Sequence, residues 1–206
     1  MSKKVLAVVA ATFLGFGTAY AQETGGGAGR VEFGASPGGA VFFTESAKGN
    51  EPQFGNYALN ASFTLNANRF VGIEGEVGGT IGLRQNLTFN RKAFTDQRTP
   101  SMWAYSGNVV LNPGGSDRAW VPYVTGGIGG LTLCPCGGVE LLGISNYETY
   151  LTANVGGGLK WFSSRHVGLR GDYRFLAVQS KDTAPLFFGS ENRYGHRVSA
   201  GLIFTY

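Results

Sequence analysis

The sequence predicts an all-β chain, an eight-stranded antiparallel up-and-down transmembrane β-barrel. Three observations carry this. Stretches of about 11–15 residues alternate with a period of two between an apolar, aromatic face and a small, polar or charged one, the signature of a strand with two different environments. The connections between these stretches alternate long and short along the chain. After residue 21 no apolar run is long enough to form a spanning helix, so a chain that crosses a bilayer does so only as a closed barrel, because open sheet edges are left unsatisfied in lipid.

The first 21 residues read as a cleavable signal peptide. Lys3 and Lys4 give the positive start, Val5 to Gly17 a short apolar stretch, and Ala19-Tyr20-Ala21 the small-x-small cleavage pattern. The barrel domain is then 22–206, opening at Gln22 with no cysteine there to carry a lipid. Loss of Lys3 and Lys4 lowers the formal charge of +4 by two. The basic balance is partly a targeting effect and gives no case for nucleic acid. The 206 residues include 34 glycines, about twice ordinary usage and without a collagen-like period.

Each strand has its own justification. The first, about 30–43, is interrupted by Pro37-Gly38-Gly39, which predicts a bulge. The second, about 54–67, sets Tyr57, Leu59, Ala61, Phe63 and Leu65 against Ala58, Asn60, Ser62, Thr64 and Asn66. The third, about 70–82, sets Val71, Ile73, Val77 and Ile81 against Gly72, Glu74, Glu76 and Thr80. A long polar loop, 83–100, follows, then a fourth strand with Trp103, Tyr105, Val109 and Leu111 on one face. The fifth, about 119–133, is so rich in glycine that its faces do not separate. The sixth, about 147–161, places Tyr147, Leu151, Val155, Leu159 and Trp161 opposite Glu148, Thr152, Asn154 and Lys160. The seventh, about 166–178, places Val167, Leu169, Tyr173 and Phe175 opposite Arg170, Asp172 and Arg174. In the last, Tyr194, His196, Val198, Ala200, Leu202, Phe204 and Tyr206 alternate with Arg193, Gly195, Arg197, Ser199, Gly201, Ile203 and Thr205.

Asn68-Arg69-Phe70-Val71-Gly72-Ile73-Glu74-Gly75-Glu76 and Ser164-Arg165-His166-Val167-Gly168-Leu169-Arg170-Gly171-Asp172 share the pattern Arg-x-Val-Gly-aliphatic-x-Gly-acid. The echo gives strands three and seven the same in/out assignment.

An eight-stranded barrel has a lumen just filled by its side chains, which suits the glycine-rich, charged faces and turns the bulky faces to lipid. Glu74, Glu76, Glu148, Lys160, Arg170, Asp172, Arg174 and Arg197 then form a charge-balanced lumen network, because an unpaired buried charge costs several kcal/mol. Two aromatic belts are expected: Trp120, Trp161, Phe162, Phe204 and Tyr206 near the short turns, and Tyr57, Trp103, Tyr147 and Tyr194 near the long loops.

Cys134 and Cys136 flank Pro135. In an oxidising compartment they are a candidate disulfide. Free thiols are the alternative, while a metal site needs more ligands than His166 and His196, which are far apart in sequence, provide.

The signal, the alternating strands, Val167-Gly168-Leu169-Arg170-Gly171-Asp172-Tyr173-Arg174-Phe175 and the terminal Phe204-Thr205-Tyr206 together resemble the small outer-membrane β-barrel proteins of the OmpA-like and opacity-like group. The resemblance implies residence in the bacterial outer membrane and insertion by the barrel-assembly machinery, with Leu202, Phe204 and Tyr206 as the assembly signal. The expectation is a barrel without the peptidoglycan-binding domain of the two-domain members.

Fold does not fix function. The leading expectation is a non-enzymatic barrel, without cofactor or metal, with a structural or surface-interaction role. It displays four external loops among outer-membrane lipid and lipopolysaccharide. Loop 83–100, with Arg84, Arg91, Lys92 and Arg98 against Asp96, is the candidate contact surface for an extracellular ligand, the alternative being a solvated loop without a partner. The alternatives are a lipid A-modifying barrel enzyme, a narrow channel and a soluble periplasmic binding barrel. For the enzyme, His196 with Ser199 is the nearest His/Ser pair, but opposite parity sends the two to different faces.

Overall fold

The computed structural model describes residues 30–48, 50–89, 92–136, 144–185 and 187–206. The expected signal peptide, residues 22–29 and Arg91 lie outside these residues. The strands are β1 (Val31–Phe43), β2 (Phe54–Asn66), β3 (Val71–Ile81), β4 (Arg84–Phe89), β5 (Lys92–Arg98), β6 (Met102–Leu111), β7 (Trp120–Leu133), β8 (Glu148–Phe162), β9 (Val167–Val178) and β10 (Arg193–Thr205). Eight of them close an antiparallel barrel in the order β1-β10-β9-β8-β7-β6-β3-β2, and β4 and β5 make a separate two-stranded sheet.

Closure joins the first and last strands. Glu32 faces Thr205 and Phe43 faces Gly195, and the register slips between Ala35 and Gly38, at Pro37. Beyond the last paired residues, Val31 and Tyr206 exchange backbone hydrogen bonds of 3.0 and 2.9 Å. No free edge is left in the barrel, as lipid requires.

The short connections, 67–70, 112–119 and 163–166, lie at the end of the barrel where both Arg30 and Tyr206 sit. Asn68 caps one turn by accepting from the Phe70 and Val71 amides, and Ser164 does the same for His166 and Val167. The longer connections leave from the opposite end.

One of these differs from the sequence reading. Residues 83–100 are not an irregular loop but carry the β4–β5 hairpin. Leu87 of β4 is fully buried against the barrel mouth, and the Gln85 amide brackets Gly55 of β2, donating to its carbonyl at 2.7 Å and accepting from its N–H at 3.1 Å. The hairpin register shifts between Gln85 and Leu87. Across the bulge, Asp96 has a left-handed φ of 53° and donates its amide to Asn86. Asp tolerates that conformation better than most residues.

The outer surface of the barrel is apolar. Ile73, Ile128 and Leu151 are 65%, 69% and 60% exposed, and Val77, Val109, Val155 and Leu169 point the same way. A barrel in water turns such side chains inward. A barrel in lipid turns them outward. Among the described residues no helix is long and apolar enough to cross a membrane. The fold is a transmembrane β-barrel that crosses with its strands.

The aromatic rims need one correction. Trp120, Trp161, Phe204 and Tyr206 point outward near the short turns, with the two indoles stacked at 5.8 Å. Phe162 does not join them. As the neighbour of Trp161 it has the opposite parity, so it turns inward and packs with Val121 and Ile203 to floor the lumen.

Candidate functional site

The lumen is filled in layers, each contributed by inward-facing positions. At the short-turn end lies the small apolar floor of Val121, Phe162 and Ile203. Above it Lys160 donates to Glu32 Oε2 at 2.7 Å, and Asn66 donates to Glu32 Oε1 at 2.7 Å. All three are buried. Glu32 completes a pair that sequence reading left open: its parity on β1, between outward Val31 and Phe33, was the available signal.

The middle layer spans the barrel. Glu74 Oε2 meets Arg170 Nη1 at 2.5 Å and Glu74 Oε1 meets Arg174 Nη2 at 2.6 Å. Asp172 takes Arg170 Nη2 and Arg174 Nε, each at 3.0 Å. Glu76 joins Arg174 at 3.2 Å and Arg197 at 2.7 Å. Three carboxylates thus face three guanidiniums, and the layer is neutral. Charge-assisted, multiply bonded pairs of this kind are the strong ones. Asn108 and Asn154 extend the network, Asn154 donating to Asn108 at 2.9 Å and accepting from Arg174 at 3.2 Å.

Tyr123 was missed in sequence because the faces of β7 were unreadable. It points inward, accepts from Arg170 Nε at 2.7 Å and donates to Asp172. Its ring lies 4.8 Å from the Arg170 guanidinium and 5.2 Å from Lys160, linking the two charged layers. Gly158 faces it directly on β8. A Cβ there would meet the Gly171 backbone carbonyl of β9 first and would stand 2.7 Å from the Tyr123 oxygen, so this glycine makes room both for the neighbouring strand and for the ring.

Glu148, expected in the network, is outside it. Its parity is inward, but it is the first residue of β8 and sits at the long-loop rim, where Lys181 donates to it at 2.5 Å. The other seven residues named from the sequence lie in the lumen, six in the middle layer and Lys160 below it.

Above the charges lies a second apolar layer. Val41, Phe43, Phe54, Met102, Leu131, Leu133, Tyr150 and Val178 come from the strands, and Leu87, Ile144, Phe187 and Phe188 fold over them from the connections. Between this cap and the ionic layer is a cavity of about 40 Å³, lined by Met102 and Leu131 on one side and Glu76 and Arg197 on the other. That is room for a few waters, not for a solute.

A buried ion pair holds the cap down. Arg193 Nη1 donates to Glu51 Oε2 at 2.7 Å, and its Nη2 donates to the carbonyls of Thr44 and Pro52, both at 2.7 Å. Glu51 Oε1 accepts from the amide and hydroxyl of Ser190. Arg193 also lies over the Phe188 ring at 5.0 Å. Tyr150 donates to the Phe188 carbonyl at 3.0 Å. The connections 44–53 and 179–192 are thereby tied to each other and to the barrel mouth.

His196 lies on the outer face, its Nδ1 2.8 Å from the Tyr173 hydroxyl, whereas Ser199 is buried on the inner face. The His/Ser pair considered from sequence is not formed. Among the described residues no cluster of three or more His, Cys, Asp or Glu side chains is placed to hold a metal. Cys134 and Cys136 are paired, their Cα atoms 5.2 Å apart, within the span a disulfide requires. Leu202, Phe204 and Tyr206 all face outward, Tyr206 being 78% exposed.

The fold is similar to those of small bacterial outer-membrane barrels. Neisserial surface protein A aligns with a TM-score of 0.61 at 12% identity, over 87% of this chain and 99% of that one. The outer membrane protein OprG of Pseudomonas aeruginosa aligns at 0.51 and 11%, over 88% and 98%. The N-terminal β-barrel domain of OprF, from the same organism, aligns at 0.50 and 12%, over 86% and 99%. No protein-family model matches the chain, and no curated protein matches its sequence significantly.

Proposed function

We propose that this protein is an integral outer-membrane barrel of bacteria, non-enzymatic, with a structural or surface-interaction role. It is inserted by the barrel-assembly machinery through Leu202, Phe204 and Tyr206, and it displays its four longer connections to the exterior. The observation that carries this reading is a barrel apolar on the outside whose lumen is plugged by a neutral ionic layer between two apolar layers. Such a barrel offers lipid a surface and solutes no path. Its chemistry with the outside is left to the loops.

Among the loops, the β4–β5 hairpin is the contact surface. Arg84 is engaged with Asp96 at 2.6 Å, while Lys92 and Arg98 are exposed. With Arg91 the segment carries a net basic charge, which attracts lipopolysaccharide phosphates or acidic extracellular surfaces. The bridge between Cys134 and Cys136 belongs to the oxidised, exported protein. Alkylation of both thiols only after reduction is the expected result.

Fractionation tests the placement. The protein is expected in the outer membrane, extracted only by detergent, and to migrate differently on gels before and after boiling. Extraction by salt alone would sink the reading. Planar-bilayer recording tests the plug, and a large, steady open state contradicts it. Tyr206→Asp is expected to lower the amount of folded barrel in the outer membrane without reducing export, and unchanged levels would remove the assembly role from that residue.

A further inference from the structure

The short-turn rim carries one arginine at each of its four corners. Arg69 lies in the β2–β3 turn, Arg118 in the β6–β7 turn and Arg165 in the β8–β9 turn. Arg30 precedes β1, beside the end of β10, and its carbonyl accepts from the Asn66 amide at 2.8 Å, which holds it at the same end. In barrel order these corners follow one another at intervals of two strands. All four side chains are exposed. Asp117, 3.9 Å from Arg69, is the one exposed acidic side chain among the described residues of this rim. The opposite rim mixes signs, with Arg84 on Asp96 and Lys181 on Glu148.

The height of this ring is set by its aromatic neighbours. Trp120 and Trp161 stack just inside the turns, Tyr206 lies beside the His166 ring at 6.2 Å, and Arg69 covers the Phe70 ring at 4.6 Å. Tryptophan and tyrosine settle at the headgroup level of a bilayer. Arginines one turn beyond them stand where phosphates are. The guanidinium fork matches a phosphate bidentately, which a lysine cannot do.

We propose that this rim is a phosphate-binding collar: Arg30, Arg69, Arg118 and Arg165 hold the headgroup phosphates of phospholipids in the leaflet they face, and favour anionic phospholipids. The proposal rests on the membrane reading given above, and adds to it a lipid preference at one end. Three of the four guanidiniums have no acidic partner among the described residues, so the phosphates meet donors that are free to bind. Arg69 is shared with Asp117 and contributes least.

The test uses tryptophan as the reporter. The mature protein carrying Trp103→Phe keeps only Trp120 and Trp161, both under the collar. It is folded into phosphatidylcholine vesicles containing either brominated phosphatidylglycerol or the same amount of brominated phosphatidylcholine. A third set contains a brominated fatty acid, which is negative but lacks phosphate. Expected is a several-fold local enrichment of phosphatidylglycerol over both other lipids. It should vanish when Arg30, Arg69, Arg118 and Arg165 are all changed to glutamine. The boiled and unboiled gel shift shows that each variant is folded; the substituted side chains lie on turns and touch no core. Equal quenching by the two phospholipids overturns the collar, as does enrichment that survives the fourfold substitution. Enrichment of the fatty acid to the same degree also overturns it, leaving charge attraction without phosphate recognition. Absence of quenching by any lipid overturns the membrane reading together with the collar.

Discussion

At the scale of single residues, the lumen tests how charge is tolerated away from water. Lys160 and Glu32 form a buried pair joining strands whose residues are 128 positions apart. Removing one member strands the other without a counter-charge, which costs about 3–5 kcal/mol, whereas neutralising both is close to neutral. Lys160→Met is therefore expected to lower the unfolding midpoint in urea markedly, and Glu32→Gln added to it to recover most of the loss. A double variant as unstable as the single one would show that the pair holds the floor by more than charge. Gly158 is sensitive for a different reason. Its missing side chain makes room for the Gly171 carbonyl of β9 and for the Tyr123 ring, so Gly158→Ala forces the β8 and β9 backbones apart and crowds the tyrosine that holds Arg170 and Asp172. Overpacking of this sort costs about 1–3 kcal/mol, and a destabilised barrel is the expected outcome in the same measurement.

At the scale of elements, the sequence was legible as far as parity reaches. Alternation assigns β3, β8, β9 and β10 to their faces because bulky apolar and charged side chains contrast there along most of each strand. It fails on β7, where Gly126, Gly127, Gly129 and Gly130 carry no polarity signal and Tyr123, aromatic, points inward. Parity also gives face and not height. Glu148 and Lys160 share a face of β8, yet one ends at the rim and the other at the bottom, because they stand near opposite ends of the same strand. The β4–β5 hairpin was hidden since its burial rests on one residue, Leu87, and on Gln85 reaching the backbone of β2. The echo between β3 and β9 was more informative than its length suggests. Its one charge-reversed position is Glu74 in the first copy and Arg170 in the second, and these meet across the lumen at 2.5 Å. The cap is an element-scale device too. Arg193→Met removes the anchor of Glu51 and of two carbonyls, and is expected to open residues 179–192 to protease while the barrel itself stays resistant. Unchanged cleavage would mean that Phe187 and Phe188 hold the segment unaided.

At the scale of the whole molecule, the barrel is a closed wall around a neutral interior, with mixed charge at one mouth and arginines at the other. The ionic layer joins β3 to β9, on opposite sides of the barrel. It therefore comes together only when the wall is closed. That gives the layer a second consequence, in the choice between competing closures. Sliding one strand by a single residue exchanges its two faces. For β9 this would turn Arg170, Asp172 and Arg174 towards lipid, where an arginine at mid-depth costs about 2–4 kcal/mol, and would leave Glu74 with no guanidinium and Glu76 with Arg197 of β10 alone. The penalty falls on misaligned closures and not on the aligned one, so the layer works as a proofreading lock on barrel assembly.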